Sequence, residues 1–248
     1  MSHLPHHDFS ARARAYDTLR PSDASWWQAF EQLVDLGDLR GQRVLDVGCG
    51  TGRLAAALTE RAGSKVWGID TSEEMVKVAR ATLPPGIGVR RGAGEQLPFR
   101  DAWFDRVTMS LVLHLLDRPR ALAEARRVVS PDGRIAISTF HPDHFESYWL
   151  NPYFPSIRLI DKRRFPTPET MRRELERAGF PQYEERVLVT EATIDRADAL
   201  ARIHGRHIST FDLLPADEVV SGTERAEREL PATVVQRLVR LVAVGSAR

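Results

Sequence analysis

The chain has 248 residues, with 35 Lys and Arg against 34 Asp and Glu, a formal net charge of +1. That length suits one domain with a full core and a small appendage, and the charge balance excludes a global electrostatic footprint for nucleic acid, though not a local basic patch. The single cysteine, Cys49, excludes an internal disulfide and a thiolate zinc site and points to a reducing, cytoplasmic compartment.

Residues 1–20 read as irregular, and although Arg12, Arg14 and Arg20 lie there, no apolar signal-peptide core follows them. Residues 25–36 predict a helix with Trp26, Phe30, Leu33 and Val34 on one side. Residues 44–47 predict a buried strand, 53–61 a helix, and 65–69 a second strand closed by Asp70. Thr71 is expected to open the next helix, with Glu74 completing a capping box. Pro84-Pro85-Gly86 ends it, and 88–91 form a weak third strand. Residues 104–110 predict the fourth strand. Asp117-Arg118-Pro119 opens a helix running to about Val129, with Asp as cap and Pro in the first turn. Ser130-Pro131-Asp132-Gly133 reads as a turn before a fifth strand over 134–140.

After Phe140 the alternation breaks. Residues 141–165 read as an aromatic insertion or lid, and a helix opens at Thr167-Pro168-Glu169 and ends at Gly179. Residues 183–190 predict a strand, 195–230 a mostly helical segment with a loop near Leu214-Pro215, and 234–244 the last strand. The longest apolar stretch, 107–116, is interrupted by Thr108, Ser110 and His114 and is too short to span a bilayer, so no membrane segment is expected. The alternation predicts an α/β fold with a mostly parallel sheet and helices on both faces. The two late strands suit an antiparallel pair. The expected organisation is a single domain over 1–248, with a core at 37–140 and insertions at about 141–165 and 195–230.

The segment Val44-Leu45-Asp46-Val47-Gly48-Cys49-Gly50-Thr51-Gly52 carries the chemistry. Glycines at alternate positions let the chain turn sharply and let a ligand approach the main chain, and the helix that follows aims unpaired N–H groups at the turn. A dinucleotide site spaces its glycines G-x-G-x-x-G around a pyrophosphate; here the spacing is G-x-G-x-G. Asp46 would repel a pyrophosphate and attract an ammonium. Asp70, at the end of the second strand, suits two ribose hydroxyls in either class.

These residues, with Gly68-Ile69-Asp70-Thr71-Ser72-Glu73-Glu74-Met75, Gly92-Ala93-Gly94-Glu95-Gln96-Leu97-Pro98-Phe99, Phe104-Asp105-Arg106-Val107 and Arg127-Val128-Val129-Ser130-Pro131-Asp132-Gly133, resemble the core of a class I S-adenosylmethionine-dependent methyltransferase of the small-molecule, ubiquinone- and menaquinone-type branch (methyltransferase type 11). The likeness covers about two fifths of the chain. It implies a Rossmann-like seven-stranded sheet with the last strand antiparallel, and S-adenosyl-L-methionine as cofactor. It also implies roles. Asp46 would lie near the methionine ammonium, and Gly48, Gly50 and Gly52 under the amino acid and ribose. Asp70 would accept the ribose hydroxyls beside Thr71, Met75 would pack on the adenine, and Gly94, Glu95 and Gln96 would border the adenine edge. Ser110 would face the methionine moiety or the transferred methyl, and Tyr16, with Arg14 nearby, would close over the cofactor's carboxylate. Where such enzymes often carry an Asp for the adenine amino group, this chain has Ala93, a loss of roughly 0.5–1.5 kcal/mol of binding.

His141, directly after the fifth strand, is the candidate general base, and His114 is a second candidate facing the substrate. The pairs His141/His144 and His204/His207 are each three apart, but no carboxylate pattern accompanies them, so no metal is expected. His3, His6 and His7 lie in the tail without an expected role. Phe140, Phe145, Tyr148, Trp149, Tyr153 and Phe154 either seal the insertion onto the sheet or line an apolar acceptor pocket. Arg158, Lys162, Arg163 and Arg164 form a local basic cluster. The expected function is in-line methyl transfer to a small-molecule acceptor, with no nucleic-acid partner and no predicted oligomeric state. An NAD(P)-dependent oxidoreductase and a non-catalytic cofactor-binding protein stay open as alternatives.

Overall fold

In the computed structural model the described residues are Ala13 and 15–248, so Arg12, Arg14, His3, His6 and His7 fall outside them. In chain order come α1 (Tyr16–Leu19), α2 (Ala24–Gly37), β1 (Arg43–Val47), α3 (Arg53–Ala62), β2 (Lys65–Asp70), α4 (Glu73–Thr82) and β3 (Gly88–Arg91). Then follow β4 (Phe104–Ser110), α5 (Arg118–Val128), β5 (Val129–Phe140), α6 (Ser156–Arg164), α7 (Pro168–Arg177), β6 (Gln182–Asp195), α8 (Arg196–His204), α9 (Ala216–Glu229) and β7 (Thr233–Ser246). The strands form one sheet in the order β3-β2-β1-β4-β5-β7-β6. β1 to β5 pair in parallel, and β7 runs antiparallel to both β5 and β6.

Residue alternation along the strands divides the core between two faces. Leu45, Val47, Val107, Met109, Ile135 and Ile137 pack with α5 and α7 on one side. Val44, Val66, Ala136, Val242 and Val244 pack with α2 and α3 on the other. Helix α2 is fixed at its start by Asp23, whose carboxylate accepts from the Trp26 N–H.

Three local expectations change. Helix α4 is capped by Ser72, whose Oγ accepts from the Met75 N–H, and not by a Thr71/Glu74 box. Asp70 takes the Ser72 N–H at 2.8 Å and so moves the cap one residue along. The expected turn at 130–133 is part of β5, which starts at Val129 opposite Phe104 and carries a register shift before Arg106. Finally, β6 and β7 are longer than their hydrophobic pattern suggests. They pair continuously from Gln182↔Ser246 to Asp195↔Thr233, while β5 stops opposite Arg240.

That two-stranded extension rises beyond the C-terminal ends of the parallel strands and carries the inserted segments. Leu150, Phe154 and Ile157 from the first insertion meet Ala199, Ile203, Phe211, Ala226 and Leu230 from the second, with Ile194 and Val234 of the extension beneath them. Close approach here depends on Gly222 of α9: a Cβ there would lie 2.5 Å from Phe154 Cε1 and 2.6 Å from the Tyr153 carbonyl oxygen. Gly222→Ala is expected to destabilise the protein by about 1–3 kcal/mol through overpacking, outweighing the roughly 1 kcal/mol gained in helix propensity. A urea midpoint at or above the wild-type value would contradict this.

Candidate active site

The turn after β1 is fastened to the end of β2. Gly48 N–H and Cys49 N–H both donate to the Ile69 carbonyl, at 2.8 and 3.0 Å, and Gly50 N–H donates to Asp70 Oδ2 at 2.9 Å. Gly48 has φ +71°, and a Cβ on it would lie 2.3 Å from Val112 Cγ2. Gly50 has φ +55°, with open space where its Cβ would be. The turn therefore presents bare main chain to a cavity.

Asp46, directly before this turn, is 1% exposed. Its β1 position pairs with Thr108 on β4, so the two side chains share a face, and Asp46 Oδ1 accepts from Thr108 Oγ1 at 2.9 Å. Its other oxygen, Oδ2, is buried and meets no hydrogen-bond partner among the described residues. Burial pushes the carboxyl up to about 7; the Thr108 bond opposes this and the Asp70 charge adds to it.

The cavity is open to solvent, and together with its opening it spans about 1170 Å³. Its floor is the end of the sheet: Asp46, Gly48 and Gly50, then Ser110 and Leu111, Ser138 and Phe140, and Leu238 and Arg240. Trp26, Ala29, Phe30 and Leu33 of α2 form one wall, and His144, Tyr148, Arg202 and His207 form the other. Tyr16 and Arg20 border its mouth, Arg20 Nη1 donating to Tyr16 Oη at 3.0 Å. A second, smaller space adjoins it, sharing Tyr16, Leu111, Phe140, His144 and Tyr148 and adding His114, Phe145 and Phe165. Leu111, common to both, has φ +51° and donates its N–H to the Ser138 carbonyl at 2.8 Å. A branched residue in the left-handed region next to a cavity marks a locally constrained site.

The expected residues divide between the cavity and its surroundings. Tyr16, Asp46, Gly48, Gly50 and Ser110 line the larger cavity, and His114 lines the smaller, stacked on Phe165 at 4.0 Å. Gly52 instead starts α3 with φ +86°. Asp70 lies behind the glycine turn, half-buried, its oxygens taken by the Gly50 and Ser72 amides. Burial raises its carboxyl and those amides counter the rise. Thr71 is exposed and Met75 is buried. Gly94 is buried, where a Cβ would meet Val47 and Leu116. Glu95 accepts from the Asp117 N–H at 2.9 Å, and Gln96 is exposed, bridged to Ala93.

His141 lines neither cavity. It caps the short 3-10 turn Pro142–His144, its Nδ1 accepting from the Asp143 N–H at 3.3 Å. That turn directs His144 inward instead. His144 borders both cavities, stacks on Phe140 at 4.1 Å, and is held neutral, its pKa lowered to about 3 by burial and then by the Arg240 charge. Of the other pair, His204 is exposed against Glu227 at 2.9 Å. His207 is buried, with Nδ1 3.0 Å from the Arg202 carbonyl and Nε2 3.2 Å from Tyr148 Oη. Among the described residues no group of three or more His, Cys, Asp or Glu is arranged to hold a metal, and no helix is long and apolar enough to cross a membrane. Cys49 is buried, and burial with the Asp46 and Asp70 charges pushes its thiol up, away from nucleophilic use.

The aromatic group divides between cavity lining and core. Phe140, Phe145 and Tyr148 face the cavities, whereas Trp149, Tyr153 and Phe154 belong to the core of the insertions. The basic cluster is largely compensated. Arg158 and Lys162 both reach Glu146, and Arg164 binds Asp161 at 3.2 Å and Thr210 at 3.1 Å.

A methyltransferase-domain family model matches residues 45–137. The ubiquinone/menaquinone biosynthesis C-methyltransferase UbiE of Cupriavidus metallidurans is 33% identical over 182 residues, 64% of this chain and 74% of that protein. The protein of that name from Bordetella avium is 38% identical over 121 residues, 46% of each chain. The chain thus spans about half the length of the first curated relatives it matches. Among solved structures, the YcgJ protein from Bacillus subtilis superposes with a TM-score of 0.64 at 21% identity, covering 90% of this chain and 99% of that one, a likeness of fold. The glycine turn below a buried carboxylate, the seven-stranded order with β7 reversed, and the extent of these matches have one reading: the chain belongs to the class I S-adenosylmethionine-dependent methyltransferases.

Proposed function

We propose that this protein transfers the methyl group of S-adenosylmethionine to a small-molecule acceptor, in a cytoplasmic setting. The single observation that carries the reading is Asp46 Oδ2, a buried carboxylate oxygen without a hydrogen-bond partner among the described residues, at the edge of a cavity floored by bare glycine main chain. A buried unpaired anion is costly; an ammonium supplies both the missing donor and the missing charge. A pyrophosphate in the same place would be repelled, which counts against a nicotinamide dinucleotide.

In this reading Asp46 binds the amino group of the cofactor, Gly48 and Gly50 pass beneath its amino acid portion, and Tyr16 borders its entrance. Asp70 has its oxygens engaged by two amides from one side and keeps lone pairs for ribose hydroxyls at the edge of the turn. Thr71, Met75 and the segment from Gly94 to Gln96 would border the adenine. When bound, the cofactor would supply a sulfonium methyl whose carbon is open to in-line attack by the acceptor's lone pair, with the thioether as leaving group keeping the electron pair of the broken C–S bond. The chain's own contribution is alignment and exclusion of water. Ser110 and Leu111 separate the two ligands, Phe140 and Tyr148 wall the acceptor side, and the insertions cover it. His144, neutral, can accept a hydrogen bond from the acceptor, but a group with its pKa near 3 is a weak base. His114 faces the same space from the smaller cavity. His141, turned away, is assigned the local cap.

Calorimetry with S-adenosylhomocysteine tests the reading. The wild-type protein should bind it, and affinity should rise as pH increases through about 7, because Asp46 must lose its proton to meet the ammonium. Asp46→Asn should bind more weakly and show a flat profile over that range. A flat wild-type profile, or binding of NADH in its place, would contradict the assignment. Asp70→Asn should lower S-adenosylhomocysteine affinity by about 10- to 100-fold, the worth of a hydrogen bond to a charged group, roughly 1.5–3 kcal/mol. Unchanged affinity would remove Asp70 from the ribose site.

A further inference from the structure

The far end of the larger cavity holds a charge that the reading so far does not use. Arg240 lies on β7, opposite Phe140 of β5, and is 8% exposed. Its guanidinium carbon sits 5.2 Å from the centre of the Phe140 ring. Among the described residues its buried Nε meets no hydrogen-bond partner, and no carboxylate lies within ion-pair distance of it. Its charged neighbours add to the imbalance. Arg20 and Arg53 oppose it, and Asp23, exposed and engaged as the α2 cap, is the facing acid. Burial lowers its pKa only to about 10, so it is a cation at neutral pH. A buried cation without a counter-ion is costly to keep, and this one borders a ligand-sized space.

We propose that the acceptor carries a carboxylate, which seats on Arg240 as a handle remote from the methylated atom, with an aromatic or flat apolar body lying against Phe140, His144 and Tyr148. This rests on the methyltransferase reading above and names the acceptor's class. The other guanidiniums that line the cavity already have hydrogen-bond acceptors: Arg20 is held by Tyr16 Oη, Arg53 binds the Arg20 carbonyl, and Arg202 donates to Gln236 Oε1 at 2.8 Å. A planar carboxylate can take two parallel bonds from the remaining guanidinium. The cofactor's own carboxylate is the other source of the same chemistry, and the sheet order argues against it. Asp46 is on β1 and Arg240 on β7, with β4 and β5 between them. At ~4.8 Å per strand the two backbones are ~14 Å apart, whereas the cofactor's ammonium and carboxylate share one carbon.

Ligand-observed NMR and calorimetry on the full-length protein, free and saturated with S-adenosylhomocysteine, would measure binding of benzoate, phenylacetate and cinnamate against their amides. The acids should bind at least tenfold more tightly than the amides. Arg240→Met should abolish that preference, and Arg240→Lys should restore part of it, with S-adenosylhomocysteine affinity within twofold of wild type in both. Equal binding of acids and amides across the panel, or an undiminished preference in a folded Arg240→Met variant, overturns the proposal. So does a tenfold loss of S-adenosylhomocysteine affinity in Arg240→Met, which would give the guanidinium to the cofactor. If the wild type fails to bind S-adenosylhomocysteine, the methyltransferase reading falls, while the acid preference of the free protein still decides the assignment of Arg240.

Discussion

A carboxylate buried with half of its hydrogen-bonding capacity unused is the constraint around which this molecule is arranged. Asp46 is held at the end of a central strand, with Thr108 on one oxygen and no partner among the described residues on the other. The fold cannot move it, because Val44, Leu45 and Val47 on the same short strand are fully packed on both sheet faces. The protein instead shifts the carboxyl toward its neutral form, which reduces the cost of burial until a cation arrives. Asp70 reinforces this state twice. Its charge raises Asp46, and its oxygens fix the amides of Gly50 and Ser72, holding the turn open above the cavity.

The rest of the sheet carries the opposite charge to the opposite end. Asp46, Thr108, Ser110, Ser138, Phe140 and Arg240 occupy one face in successive strands, and register fixes that alignment: Asp46 beside Thr108, Ser110 beside Ser138, Phe140 beside Arg240. A one-residue slip in β7 would turn Arg240 to the other face. The long antiparallel pairing of β6 and β7 guards against that slip and also lifts the inserted helices over the cavity. The same hairpin-like extension therefore sets the charge, supports the cover and separates the two ends of the site. An apolar middle between charged ends suits a reaction whose ligands are anchored at their polar groups and aligned at their centres.

How much of this was readable in the sequence follows from how local each signal is. Asp46, the glycines and Asp70 announce themselves because strand, turn and helix are contiguous, and their chemistry is a matter of spacing. The order of elements was equally legible, since strands and helices alternate with clear breaks such as Pro84-Pro85-Gly86. Ser72 was overlooked as the α4 cap because Asp70 redirects the backbone two residues on, a contact no propensity encodes. His144 is not legible as the cavity residue because chain proximity to β5 favours His141, and a three-residue 3-10 turn reverses that order. Arg240 gave no signal at all. Among the alternating Val, Leu and Arg of the last strand, nothing in the sequence distinguishes a buried arginine from a solvated one, and only the pairing with β5 and the covering insertions reveal it.

The protonation state of Asp46 decides most directly whether the site is built for an ammonium. A carbon-13 NMR titration of the Asp46 carboxyl, assigned with Asp46→Asn, should give a midpoint near 7 in the free protein and a clear fall when S-adenosylhomocysteine is bound. A midpoint in the ordinary carboxylate range without ligand, or one that ligand leaves unmoved, would contradict it.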